Sequence, residues 1–194
     1  MSFDELKQEY SKCSQCTELC DNRTQVVFGS GNKDANVLFI GEAPGANEDK
    51  NGIPFCGMSG KILDELLLSV GLSRENIFIT NTVLCRPPGN RNPSKPEIEN
   101  CRERLDKLIS IMQPKVIVTI GNFATERIIG KTGIKTIHGQ LFEYKGMKVV
   151  PVIHPASLLY SGRNPELFEL MKEDFKTIAS LINSKKTQIN LGDY

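Results

Sequence analysis

The chain contains no apolar run approaching the ~20 residues needed to span a bilayer, which argues against a membrane-spanning helix. Its first stretch, MSFDELKQEYSKC, is charged and lacks the apolar core of a secretory signal, so an intracellular location is expected. A charge excess is missing too: the formal net charge is +1. Nucleic-acid binders often carry a clear basic excess, yet a local basic groove suffices for one. There is no internal repeat and no long low-complexity linker. Histidine is scarce, with two in 194 residues, so the place of each is informative. With no secretion signal, the six cysteines do not read as a disulfide framework, and metal binding or catalysis is the better reading.

Hydrophobic residues make up 39% of the chain and charged residues 24%, the balance of a globular protein. A single domain over residues 1–194 is expected, with 185–194 as a flexible tail. NVLFIG (from Asn36), NIFITNTV (from Asn76), KVIVTIGN (from Lys115) and MKVVPVIH (from Met147) share a short buried-strand pattern. Helical stretches separate them. SGKILDELLLSVGL has apolar residues at helical spacing. SKPEIENCRERLDKLISIMQP reads as one long helix with Ser94 as N-cap and Pro114 at its end. GNFATERIIG is a shorter helix, and PELFELMKEDFKTIASLINSKK is a long amphipathic one. TIHGQLFEYKGMKVVP reads as a hairpin turning at Lys145 and Gly146. The expected fold is α/β: a three-layer α/β/α sandwich around a central, mainly parallel, four-stranded sheet. Ligands of such sheets bind beyond the carboxyl ends of the strands, so the residues just after each strand matter most.

GEAPGANED follows the first strand. It has neither the Gly-Lys-Ser/Thr ending of a nucleotide P-loop nor the dinucleotide spacing. It supplies three acids (Glu42, Glu48, Asp49), and Phe55 follows among glycines, as a packed anchor or as a platform for a flat ligand. Asn81 ends the second strand; its amide offers both a donor and an acceptor, enough to read a pyrimidine edge or simply to cap a turn. His154 ends the last strand, as a catalytic donor or an ordinary strand-end imidazole. Leu158 and Leu159 after it either pack inside or wedge into a partner. Cys13 and Cys16 form C-x-x-C, with Cys85 and Cys101 far downstream. Four such thiolates suit zinc or an iron–sulfur cluster, and ligand type alone does not separate the two.

Taken together, KCSQCTELC, GEAPGANEDKNGIPFCGMSGKILDELL, NTVLCRPPGNRNPSKPEIENC and HPASLL resemble the family 4 uracil-DNA glycosylases, the iron–sulfur class, over nearly the whole chain. The resemblance implies a repair enzyme that flips deoxyuridine out of DNA and hydrolyses its N-glycosidic bond, leaving an abasic site. It implies a 4Fe–4S cluster on Cys13, Cys16, Cys85 and Cys101, with a structural role. It places Phe55 on the face of uracil, Asn81 on its edge to reject cytosine, and Glu48 beside C5 to exclude thymine. Glu42 and the backbone of Ala43 line the same pocket. His154 donates to uracil O2 as charge develops, which makes His154, Asn81 and Glu42 the catalytic set. Many related families carry an aspartate where this chain has Ala43, which points to a largely dissociative cleavage, with the attacking water held by Glu42 or Asn81. Leu158 is the implied wedge, with Leu159 beside it, and Arg163 is a phosphate clamp.

Arg86, Arg91 and Lys95 are expected phosphate contacts; between Leu84 and Arg104 five basic residues face three acids, a local excess of +2. In the tail, Gln188, Leu191 and Tyr194 follow the Q-x-x-L-x-x-aromatic spacing of sliding-clamp peptides, without the second aromatic. The chain is expected to act as a monomer on uracil-containing DNA. A non-catalytic iron–sulfur nucleic-acid-binding module and a zinc-stabilised protein acting on free nucleotides are the competing readings.

Overall fold

The structure is a computed structural model that describes residues 1–183. The tail beyond residue 184 and the clamp-type residues Gln188, Leu191 and Tyr194 lie outside the described residues. The chain begins with helices α1 (Phe3–Ser11) and α2 (Thr17–Asn22), then β1 (Ser30–Gly31) and β2 (Val37–Gly41). Helices α3 (Ala46–Asn51) and α4 (Met58–Ser69) lead to β3 (Phe78–Asn81), followed by α5 (Lys95–Asn100) and α6 (Arg102–Met112). Then come β4 (Val116–Ile120), α7 (Gly121–Ile129), α8 (Ile134–Ile137), β5 (Phe142–Tyr144), β6 (Met147–Val152), α9 (Ala156–Tyr160) and α10 (Pro165–Asn183).

The sheet has six strands in the order β1-β3-β2-β4-β6-β5, not the four expected. The parallel core β3-β2-β4-β6 is the expected one. Two short antiparallel strands extend it. Strand β1 pairs through two residues only, too few to show any alternation in sequence. Strand β5 is the outer arm of the hairpin that turns at Lys145 and Gly146.

Alternation along the parallel strands builds the layers. Val37 and Phe39 of β2 face one side, with Leu63, Leu66 and Leu67 of α4 and Met171, Phe175 and Ile178 of α10. Leu38 and Ile40 face the other, with Leu6 of α1, Leu105 and Leu108 of α6 and Ala124 and Ile128 of α7. Both faces of the sheet are therefore covered, as parallel sheets require. The expected long Ser94 helix is two helices meeting at Cys101, whose backbone (φ −88°, ψ −4°) sits in the sparsely allowed bridge region. Ser94 caps the first of them reciprocally with Glu97. Among the described residues no helix is long and apolar enough to cross a membrane.

Candidate active site

A cavity of about 500 Å³ opens beyond the carboxyl ends of β2, β3 and β6. Glu42, Ala43, Glu48, Phe55, Asn81 and His154 all line it. The loop after β4 contributes nothing to the wall. Asp49, the third acid of the first loop, points elsewhere: its buried carboxylate accepts the Thr24 N–H at 2.9 Å and ties α3 to the N-terminal segment.

Close backbone approach makes the slot. Gly41 ends β2, and a Cβ there would run into Asn81 Oδ1 and lie 2.7 Å from the Phe55 ring. Phe55 itself has φ +52°, the left-handed region, which costs energy for a non-glycine residue. Its carbonyl oxygen accepts from Arg74 Nη2 at 2.6 Å, and Arg74 Nη1 donates to Pro54 O at 3.0 Å. Gly60 leaves room for that carbonyl, since a Cβ there would collide with it. The Phe55 ring is thus held against His154, with centroids 5.7 Å apart and planes 29° from parallel.

Asn81 is 1% exposed, and its Oδ1 has no hydrogen-bond partner among the described residues. A buried amide oxygen left bare costs about 1–3 kcal/mol. Such an acceptor on the wall of a cavity is a site prepared for a donor that comes from outside.

His154 is fixed by its own turn. The Ala156 N–H donates to His154 Nδ1 at 3.1 Å, so Nδ1 carries no proton and Nε2 carries it. Burial pushes the imidazole down to about 4, with the nearby Glu48 acting weakly in the other direction. The ring is therefore neutral at physiological pH and offers one N–H. Glu48 is oriented by the Gly57 N–H, which donates to Oε1 at 3.0 Å. Burial raises the pKa of Glu42 above the usual carboxylate range.

The expected DNA contacts divide. Leu158 is 1% exposed and belongs to the core, so as placed it is no surface wedge. Leu159 is half-buried against the same core. Tyr160 was not anticipated; it is 90% exposed and lines the mouth of the cavity. The signal lay in helical spacing: residues two apart on α9 face opposite ways, so a buried Leu158 turns Tyr160 outward. Arg163 is engaged with Glu65 at 2.6 Å. Arg91 lies on Glu97 through both terminal nitrogens and on Glu18 at 3.0 Å, and this pair holds Glu97 down to about 2. Arg102 pairs with Glu99, and Arg104 is buried. Arg91 and Arg102 are therefore already engaged, and Arg104 is out of a partner's reach. Arg86, whose side chain among the described residues bonds to Asn90 Oδ1 and to no carboxylate, and exposed Lys95 keep their charge for a partner.

The six cysteines are free thiols. Cys85 and Cys101 are buried, and half-buried Cys13 and Cys16 pack against the same cluster of side chains. Cys13 and Cys101 both act electrostatically on Cys16 and on Cys85, so the four are neighbours. N–H donors already address the sulfurs: Arg23 Nη1 lies 2.9 Å from Cys85 Sγ and Asn100 Nδ2 lies 3.3 Å from Cys16 Sγ. Among the described residues no three His, Cys, Asp or Glu side chains converge tightly enough for a single metal ion. Four neighbouring soft donors are the ligand type that an iron–sulfur cluster takes, one thiolate to each iron. Cys20 donates to Cys13 O at 3.6 Å, and Cys56 lies apart, beside Asn51.

The sequence profile of the uracil DNA glycosylase superfamily matches residues 28–176. A type-4 uracil-DNA glycosylase of Sulfurisphaera tokodaii is 42% identical over 195 aligned positions, covering 95% of this chain and 87% of that protein. Its counterpart in Archaeoglobus fulgidus is 40% identical, covering 100% of this chain and 98% of that one. The Thermotoga maritima counterpart is 39% identical, over 93% and 94% respectively. With a pocket at the expected strand ends and likeness along the whole chain, this protein belongs to the uracil-DNA glycosylase superfamily, in its type-4 branch.

Proposed function

We propose that this chain removes uracil from DNA by hydrolysing the N-glycosidic bond, the first step of base excision repair, inside the cell. The observation that carries the reading is the bare Oδ1 of buried Asn81 on the wall of a slot floored by Phe55. A base within a duplex cannot reach such a slot, so the deoxyuridine is extruded first. Uracil N3–H donates to Asn81 Oδ1, and uracil O4 accepts from Nδ2. Cytosine presents a lone pair and an amino group there, which inverts both contacts and leaves buried polar groups unpaired. Phe55 offers its face to the ring. Glu48, held by Gly57, stands beside C5 and leaves no room for a methyl.

Cleavage sends the C1′–N1 electron pair to the departing base and leaves an oxocarbenium-like sugar. His154 Nε2–H donates to uracil O2 as negative charge gathers there. A preorganised neutral donor of this kind contributes roughly 10²–10³ in rate. Asn81 is occupied with the base edge, so Glu42 is the group that holds the attacking water; Ala43 next to it has no side chain able to do so. The water adds to C1′ and loses a proton, giving uracil and an abasic site. All these groups come from one chain, and a monomer suffices.

Cys13, Cys16, Cys85 and Cys101 would hold the 4Fe–4S cluster. When bound, it supplies a cross-link between the N-terminal segment and the loop before α5, and hydrolysis calls for no electron transfer. Tyr160 takes the wedge role expected of Leu158, and Arg86 and Lys95 contact phosphates. The test is incubation with a duplex oligonucleotide holding one deoxyuridine, followed by alkali. Strand breakage at the uracil, with none at cytosine, is the expected result. Protein that binds the duplex and leaves it intact would instead be a non-catalytic binding module.

A further inference from the structure

Arg104 is fully buried on α6, three residues past Cys101. Its hydrogen bonds all go to uncharged oxygens: Asn81 O at 2.6 Å, Thr82 O at 3.1 Å and Thr80 Oγ1 at 3.3 Å. Its Nε–H has no partner among the described residues. The other buried guanidinium, Arg127, has the Asp106 carboxylate at 2.9 Å. Among the described residues Arg104 has no such carboxylate, and Arg127 acts against its charge. The groups around it that turn anionic on losing a proton are Cys101, Tyr10 and Cys85. Burial pushes the free Cys85 thiol up to about 11, so that thiol offers a negative charge only as a bound thiolate. Burial lowers the pKa of Arg104 to about 10, which leaves it protonated at neutral pH. A buried charge without compensation is strongly disfavoured, so a counter-charge belongs beside it.

We infer that Arg104 is a positioning residue that joins two sites, with the Cys85 and Cys101 thiolates as its counter-charge and the backbone of Asn81 as its grip. The inference rests on the roles assigned above to those cysteines and to Asn81. Four thiolates make an iron–sulfur cluster net anionic, which supplies the charge that Arg104 lacks. Its planar fork then reaches three oxygens at the end of β3. Lysine, a point charge on a flexible stem, cannot hold that set in one plane. The grip falls on the carbonyl of the very residue whose amide lines the slot. The cluster therefore does more than staple the N-terminus: through Arg104 it steadies the reader of the base edge. Nothing reacts at Arg104.

The test uses cluster-loaded wild type, Arg104→Lys and Arg104→Gln. The readouts are single-turnover uracil release, affinity for duplex carrying a non-cleavable abasic analogue, iron per chain, and the rate at which a chelator bleaches the cluster. Arg104→Lys keeps the charge and loses the fork. Release is expected to fall about tenfold or more, while analogue binding changes less than about threefold and bleaching stays at the wild-type rate. Arg104→Gln loses the charge as well, and bleaching is expected to quicken about threefold or more. Arg104→Met is the second neutral variant should Arg104→Gln not fold. Wild-type release by Arg104→Lys overturns the positioning role. Wild-type bleaching in the neutral variant overturns the counter-charge. Wild-type protein that holds no iron or releases no uracil would instead sink the reading of the site itself, which separates the two failures.

Discussion

Gly41→Ala tests the slot by filling it with one methyl group. Gly41 has no positive φ, so alanine fits its backbone without strain. The obstacle is space. The added Cβ would lie 2.7 Å from Phe55 Cε2 and 2.9 Å from Cζ, and against Asn81 Oδ1, where ordinary contact begins at 3.4 Å. Both must therefore yield, the ring by roughly 0.7 Å and the amide oxygen by more, enough to strain a packed site. Neither retreats easily: Arg74 holds the Phe55 carbonyl at 2.6 Å, and Arg104 holds the Asn81 carbonyl at 2.6 Å. A misplacement near 1 Å costs about 10²-fold in rate. Overpacking of this kind costs about 1–3 kcal/mol, which lowers the melting temperature by roughly 2–10 °C. The assay is single-turnover release of uracil from duplex under saturating enzyme, beside a melting curve. A variant that melts a few degrees lower and cleaves about 10²-fold slower is the expected outcome. Wild-type cleavage by Gly41→Ala would show that the base does not sit between Asn81 and Phe55, and the slot argument would fall.

His154→Ala should slow release by about 10²–10³-fold and change abasic-DNA affinity far less; equal losses in both would exclude stabilisation of the leaving group. Because burial takes the imidazole from 6.5 down to about 4, His154 stays neutral and release should show no inflection near pH 6.5. The same shift makes the folded state reluctant to take up that proton, so its contribution to stability is full above pH 6.5 and is lost as pH falls toward 4. Tyr160→Ala should weaken binding to uracil-containing duplex about tenfold, from a lost stacking contact, at an unchanged melting temperature. Leu158→Ala should do the reverse and destabilise the fold by about 2–5 kcal/mol. Unchanged DNA binding by Tyr160→Ala would remove it as the wedge.

The sequence revealed the fold where pattern and packing agree. The four parallel strands are continuous apolar runs, legible because both of their faces are buried. The strand β1 pairs through two residues and leaves no such trace. The break at Cys101 is invisible to periodicity, since the apolar spacing of α6 continues that of α5 across it. At the site, Glu42, Asn81, Phe55 and His154 are legible because each follows a strand or sits on a glycine-rich loop, and topology brings those ends together. Charged residues are harder, since pairing depends on neighbours distant in the chain. Arg163 meets Glu65, and Arg91 meets Glu18, across 98 and 73 positions. In the sequence Arg104 is one of five basic residues in a local charge count, and only the folded chain shows it buried against the end of β3.

The hydrogen bond from the Ala156 N–H to His154 Nδ1 also decides where a proton does not come from. A backbone amide cannot relay protons, and Nδ1 spends its lone pair on it. His154 can lean on the departing base without handing over its own hydrogen, because doing so would leave an imidazolate in a dry pocket. On the proposed mechanism uracil therefore leaves the sugar as an anion, and the proton it later takes up is not the one on His154 Nε2. Broken bond and neutral product are then separate events, and His154 takes part in the first alone.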